Sequence, residues 1–299
     1  MRILITGTGA MASLFGARLA PHADVVLAGR WQAQLEALAA GPLRVIETDG
    51  RETHRALRAV HPDQLDGTVD AALILTKAPR TPEAAAIAAA HLTPGGVAIT
   101  LQNGLGNREI LAEALGDGQA VQGVTTQGAA MIEPGVVRVG GQGTTTLSAN
   151  PRIEPLADLF NRAGLRTVIE DNVERIVWRK LAVNAAINPL AALLRVPNGD
   201  LLRSENTRHL MREAADEVGE TAAALGIAVG DVRGLPEQVA RDTAPNRASM
   251  LQDVERGAQS EIEAINGAVV KRADRAGVHV PVNAMLYRLV RALEEMRSD

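Results

Sequence analysis

The chain of 299 residues contains no cysteine. Disulfides, thiolate metal sites and cysteine nucleophiles are therefore excluded. Aromatic residues are scarce: two Trp, one Tyr and two Phe. Few platforms remain for stacking single-stranded nucleic acid. Positive charge is not in excess, since 31 Lys+Arg stand against 35 Asp+Glu for a net charge of −4. The electrostatic footprint of a general nucleic-acid binder is missing. No apolar run reaches the roughly 18 residues of a membrane helix. The apolar start, MRILITGTGAMASLFGARLA, mimics a signal peptide only superficially, because Gly7 and Gly9 interrupt it. The six histidines are scattered, with none three to five residues from another, so no metal site is expected. A soluble, cytoplasmic protein is the expectation.

What is present is globular: 46% of residues are hydrophobic and 22% charged. The first half alternates short apolar strands with helical stretches. Strands are expected at residues 2–6, 24–27, 43–47, 56–60, 71–76, 96–101, 121–126 and 167–169, with helices at 11–19, 32–39, 82–91 and 107–115. Near-continuous apolar strands separated by helices imply a parallel sheet covered on both faces. Residues 136–139 and 144–148, separated by GGQG, suggest an antiparallel hairpin. Beyond about residue 171 only helical periodicity appears, at 172–194, 203–225, 235–240, 249–276 and 283–296. The fold class expected is α/β, with a dinucleotide-binding domain over residues 1–170 and an all-α domain over 171–299.

Gly7, Thr8, Gly9, Ala10, Met11 and Ala12 follow the first strand and open a helix. This is the dinucleotide-binding (Rossmann-type) fingerprint with Ala in place of its third glycine. Gly7 permits the tight turn, Gly9 lets backbone approach a pyrophosphate, and Ala12 allows close helix–sheet packing. An NAD site usually carries a carboxylate at the end of the second strand. Here that strand ends in Ala28-Gly29-Arg30. A guanidinium there suits the 2′-phosphate of NADP(H). Lys77 and Gln102-Asn103-Gly104 follow the strands at 71–76 and 96–101, where ligands of open α/β sheets bind. Gly128, after the strand at 121–126, offers another close backbone approach.

In the helical half, Lys180, Asn184 and Asn188 recur every four residues. Four residues rise about 6 Å along a helix, so the three polar groups line one narrow stripe. The residues between them are apolar, which makes the helix largely buried. A buried cation and two amides need partners or a polar ligand. Pro189 predicts a kink or an early helix end. Asn198 lies in the following turn. Farther on, Ser249, Asp253, Gly257 and Glu261 fall at fourfold spacing on one expected helix face, with Asn246 just before. Ser249 suits either a helix cap or a ligand donor. Gly257 inside a helix suggests close packing or ligand approach.

With these residues in view, the chain resembles the ketopantoate reductase (2-dehydropantoate 2-reductase) family along nearly its whole length. The matching pieces are GTGAMA at 7–12, Lys77, QNG at 102–104, RKLAVNAAINPL at 179–190, PNG at 197–199 and SMLQDVERGAQSEIEAING at 249–267. The resemblance implies NADPH-dependent reduction of 2-dehydropantoate to pantoate, a step toward pantothenate and coenzyme A. It implies that Lys180 is the proton donor, with Glu261 beside it in the catalytic set. Asn184, Asn188, Asn198, Asn246 and Ser249 would contact substrate. Gly7 to Ala12, Lys77, Asn103 and Glu261 would contact the cofactor or order the site around it, and Asn103 also reaches toward substrate. The stretch Ala78-Pro79-Arg80-Thr81 departs from the family pattern. It keeps open a related NADPH-dependent reductase of another 2-oxo acid. A nonenzymatic NADP(H)-binding regulator is a third reading, and a homodimer is plausible. Burial would lower the Lys180 pKa and Glu261 would raise it; the sequence leaves the winner open.

Overall fold

The computed structural model describes residues 1–296. They form two compact units. The first comprises residues 1–102 and 107–173, and the second comprises 103–106 and the chain from Glu174 onward.

In the first unit the strands are β1 (Arg2–Thr6), β2 (Asp24–Ala28), β3 (Leu43–Ile46), β4 (Glu52–Arg55), β5 (Arg58–Val60), β6 (Val69–Ile74), β7 (Leu92–Thr100), β8 (Ala120–Thr125), β9 (Gly128–Glu133), β10 (Val136–Gly141), β11 (Thr145–Ser148) and β12 (Thr167–Glu170). The helices are α1 (Ala10–Leu19), α2 (Gln32–Ala40), α3 (Thr81–His91), α4 (Asn107–Leu115) and α5 (Glu154–Arg162). Eight strands form one sheet in the order β12-β11-β8-β7-β6-β1-β2-β5. All neighbours are parallel except β11 against β8. Alternate residues of β1 feed opposite cores. Ile3 and Ile5 pack with Leu14, Phe15 and Phe160, while Leu4 packs with Ala84, Ala85 and Ala88 of α3. A sheet buried on both faces needs apolar residues at every strand position, which is why RILIT reads as a continuous run.

A second sheet, β4-β3-β10-β9, contributes Leu43, Val45, Val137 and Val139 to the core around α1. Here the expected hairpin is overturned. Residues 136–139 pair antiparallel with β9 and parallel with β3, while 145–148 join the large sheet between β8 and β12. The turn of the real hairpin is Pro134-Gly135, with Gly135 at φ +81°. Strands β4 and β9 escape a sequence reading because they are partly exposed or short of apolar residues (ETHR and GAAMIE).

The second unit is helical: α6 (Val173–Leu194), α7 (Glu205–Ala224), α8 (Leu235–Asp242), α9 (Ser249–Glu255), α10 (Ala268–Ala276) and α11 (Pro281–Glu295). Two expectations fail here. The helix expected over 249–276 is three pieces: α9, a π-helical turn at Glu263–Gly267, and α10. Gly257 is the reason, since it adopts φ +66°, and a Cβ placed on it would meet nothing within 4 Å. It terminates a helix and serves no close packing. Ser249 and Glu261 therefore do not share a helix face. Of the kink or early end expected at Pro189, the early end does not occur: α6 runs on to Leu194.

Gly7 controls how β1 turns into α1. It holds φ +104°, and an added Cβ would lie 3.1 Å from the Leu75 carbonyl oxygen. Gly7→Ala is expected to cost about 1–3 kcal/mol, the range for a side chain forced into that region. Chemical denaturation of the variant checks this.

Candidate functional site

The glycine turn of the first unit is tied down by Gly7 N–H donating to the Ala28 carbonyl at 2.7 Å. Ala12 is fully buried against the sheet. Gly9 is the residue before α1, whose start has no side-chain cap, and a Cβ on Gly9 would meet nothing within 4 Å. Thr8 is buried, and Ala10 and Met11 are partly so. Among the described residues no side chain caps the start of α1, the condition that suits a phosphate.

Parallel pairing of β2 with β5 sets Ala28 opposite Val60, so Arg30 and His61 leave the same sheet edge. Arg30 Nε donates to Glu83 Oε1 at 2.5 Å, and its Nη1 lies 2.9 Å from His61 Nε2. Arg80 Nη1 approaches the other Glu83 oxygen at 3.8 Å. The hydrogen bond it donates to Glu83 holds the Arg30 guanidinium above its ordinary pKa. Lys77 is exposed, just before the short 3-10 turn Ala78–Arg80. Gln102, to which the sequence reading gave no role, donates to the Thr76 carbonyl and to Thr81 Oγ1, both at 2.9 Å. It links the end of β7 to the loop after β6. Gly128 lies in the second sheet, paired with Gly141.

In the second unit, Lys180, Asn184 and Asn188 do line one stripe of α6. Lys180 and Asn184 are partly buried, and Asn188 is 6% exposed. Among the described residues, no hydrogen bond reaches the side chain of Asn184 or Asn188. Tertiary folding brings Glu261 to Lys180, although Glu261 leaves a different segment. Glu261 is buried at 6% exposure and accepts a hydrogen bond from Asn103 Nδ2 at 3.1 Å. Asn103 is held in place by its neighbours, since Leu105 N–H donates to the Ala264 carbonyl at 2.9 Å. A Cβ on Gly104 would fall 2.2 Å from that same oxygen, so the contact requires glycine.

Burial is the larger influence on Lys180. It lowers the ammonium from 10.5 to about 8, against the smaller opposing pull of the Glu261 carboxylate. A cation that gives up its proton near neutral pH is suited to general-acid work.

Asn198 and Asn246 come together through an Asn198 N–H bond to the Asn246 carbonyl at 2.9 Å. Asn198 Nδ2 donates to Thr243 Oγ1 at 2.9 Å, while its buried Oδ1 accepts nothing among the described residues. Ser249 is exposed at the first position of α9; the capping position belongs to Ala248, so the cap reading is corrected. Among the described residues no group of three His, Asp or Glu is placed to hold a metal ion, and no helix is long and apolar enough to cross a membrane.

A glycine turn between the first strand and first helix of a parallel sheet marks the first unit as a dinucleotide-binding (Rossmann-type) fold, and the helical second unit holds a lysine beside a buried carboxylate. Comparison with known proteins narrows the class. Residues 3–152 match the family "Ketopantoate reductase PanE/ApbA", and residues 172–294 match its C-terminal domain. A 2-dehydropantoate 2-reductase of Archaeoglobus fulgidus is 38% identical over 98% of each chain. Another, from Halobacterium salinarum, is 36% identical over 97% of this chain and 98% of its own. A Ralstonia eutropha PanE/ApbA family ketopantoate reductase superposes with TM-score 0.93 at 30% identity over all of both chains. A D-mandelate dehydrogenase, solved with NADH and anilino(oxo)acetate, superposes with TM-score 0.94 at 26% identity over 100% of this chain and 99% of its own. The chain belongs to the ketopantoate reductase family.

Isotope-edited NMR of the Lys180 ε-methylene should show titration near pH 8, well below that of surface lysines. Glu261→Gln removes the opposing carboxylate and should move that midpoint lower still. An unchanged midpoint would show that Glu261 does not act on the ammonium.

Proposed function

We propose that the protein reduces 2-dehydropantoate to pantoate with NADPH. The observation that carries this reading is Lys180, an ammonium lowered to about 8 by burial, set in line with two asparagine amides. NADPH supplies a hydride when bound. On the reading proposed, Gly7 to Ala12 would hold its pyrophosphate at the start of α1, and Lys77 and Asn103 would hold other polar groups of it. Reduction of the substrate carbonyl would leave negative charge on its oxygen. Lys180 Nζ would hydrogen-bond that oxygen, stabilise the growing charge and donate its proton. The resulting neutral amine recovers a proton from water. Its pKa makes both transfers cheap near neutral pH, because neither form is far from equilibrium. Asn184, Asn188, Asn198, Asn246 and Ser249 orient the substrate carboxylate and hydroxyl. Glu261 keeps Lys180 cationic and is itself held by Asn103.

The choice of NADPH over NADH rests on Arg30. The Glu83 carboxylate lying against Arg30 and near Arg80 marks a place where an anion is stable. Arg30, released from Glu83, would hold a 2′-phosphate of NADPH there. The second sheet edge residue, His61, already touches Arg30 and borders the same place.

A second substrate reading has a specific support, the superposition on a D-mandelate dehydrogenase solved with anilino(oxo)acetate. That reading keeps the mechanism and changes only the group beside the keto acid.

Oxidation of NADPH should be fastest with 2-dehydropantoate in a panel of 2-oxo acids; a bulkier acid turning over faster selects the second reading. Lys180→Ala should lower kcat by roughly 10²–10⁴. The kcat/KM of the native protein should fall as pH rises through about 8, where Lys180 of the free protein loses its proton. In fluorescence titrations, Arg30→Ala should weaken NADPH much more than NADH, and Glu83→Gln should strengthen NADPH alone. Equal effects on both cofactors would remove Arg30 and Glu83 from phosphate recognition.

A further inference from the structure

Pro189 stands inside α6 and has no N–H. The helical donor it lacks is the one that would serve the carbonyl four residues earlier, that of Ala185. Ala185 is fully buried, so water does not replace the donor. An unsatisfied buried carbonyl is costly. The side chain of Asn266 supplies the missing bond: its Nδ2 donates to the Ala185 carbonyl at 2.9 Å.

Asn266 is itself fully buried, in the π-helical turn at 263–267. Its Nδ2 also donates to Asn283 Oδ1 at 2.9 Å. Both neighbours on that side are acceptors, so the amide cannot be reversed. Asn283 Nδ2 continues the chain to the Ala214 carbonyl at 3.0 Å and to Glu217 Oε2 at 2.7 Å. Glu217 in turn accepts the backbone N–H groups of Val282 and Asn283, both at 2.8 Å, at the start of α11. Buried polar groups thus join α6, the π-helical turn, α7 and α11.

The positions of the two ends matter. Ala185 follows Asn184 directly and lies between Lys180 and Asn188. Asn266 sits on the turn that grows out of Glu261, whose carbonyl accepts Ala264 N–H at 3.1 Å and Ile265 N–H at 3.0 Å. The amide therefore spans from the Glu261 segment to the Lys180 helix. We propose that Asn266 is a positioning residue: it replaces the donor that Pro189 removes and so holds the Lys180–Asn184–Asn188 stripe in register with Glu261. A proline at this point frees one carbonyl of α6 for a bond from outside the helix, and that bond locks two segments that share the reaction's charged pair. This inference rests on the reading of Lys180 as proton donor.

The test is a double-mutant cycle on the full chain. Pro189→Ala returns a peptide N–H to the Ala185 carbonyl, so it makes Asn266 dispensable for that carbonyl. Asn266→Ala alone should lower kcat at least tenfold with the KM for NADPH nearly unchanged, and should move the Lys180 titration midpoint. The double variant, whose Ala185 carbonyl is served again within the helix, should recover the stability lost to Asn266→Ala but keep the lowered kcat and the moved midpoint, because nothing then ties α6 to the Glu261 segment. It is the variant to read if Asn266→Ala alone does not fold. Native kcat and midpoint in the double variant, or failure of both variants to fold, would overturn the inference. The substrate assignment fails separately: then no variant reduces 2-dehydropantoate, while the titration and the coupling in unfolding between residues 189 and 266 persist.

Discussion

A single ammonium group kept partly out of water is the constraint around which the second unit is organised. Lys180 is costly to bury, and the protein tolerates the cost without cancelling it. Glu261 is close enough to oppose the loss of the proton but does not restore the ordinary pKa. A tighter ion pair would return the lysine to its solution value and make proton donation at neutral pH slower. A drier site without the carboxylate would leave it uncharged. The useful state lies between, and it depends on where Glu261 sits.

That placement is secured by bonds that have nothing to do with chemistry on a substrate. Asn103 holds the Glu261 side chain, the Leu105–Ala264 backbone bond holds Asn103, and Gly104 leaves room for the contact. On the other side, Asn266 carries the bond that Pro189 gave up. Proline in a helix costs about 3 kcal/mol or more when nothing compensates. Here the lost bond reappears as a tertiary one, which explains why α6 passes through residue 189 without ending. In the first unit the corresponding economy is Gln102, which joins two strand-end loops through Thr76 and Thr81.

Much of this was legible in the residues. The parallel strands announced themselves as apolar runs because both faces of the sheet are covered. The fingerprint at 7–12 was read from its place between β1 and α1. The Lys180 stripe followed from helical spacing alone, since side chains four apart share a face whatever surrounds them. Other readings failed for identifiable reasons. Residues 136–139 and 144–148 look like a hairpin across GGQG, yet each has a better partner that is distant in sequence. The run at 249–276 keeps helical periodicity, but Gly257 in the left-handed region breaks it. Exposed strands such as ETHR carry no hydrophobic signal at all.

The amino-acid sequence by itself determined the local quantities: which stretches are strand or helix, where the glycine turn lies, and which polar groups of α6 face the same way. Spacing and propensity act over a few residues, and these features need nothing more. Only the tertiary structure decided that Glu261 stands by Lys180, that Asn103 joins it, that Glu83 takes Arg30, and that Asn266 answers Pro189. Those pairings link residues from 53 to 158 positions apart, and they exist because a buried charge or a buried carbonyl must be met by whatever group the folded chain brings to it.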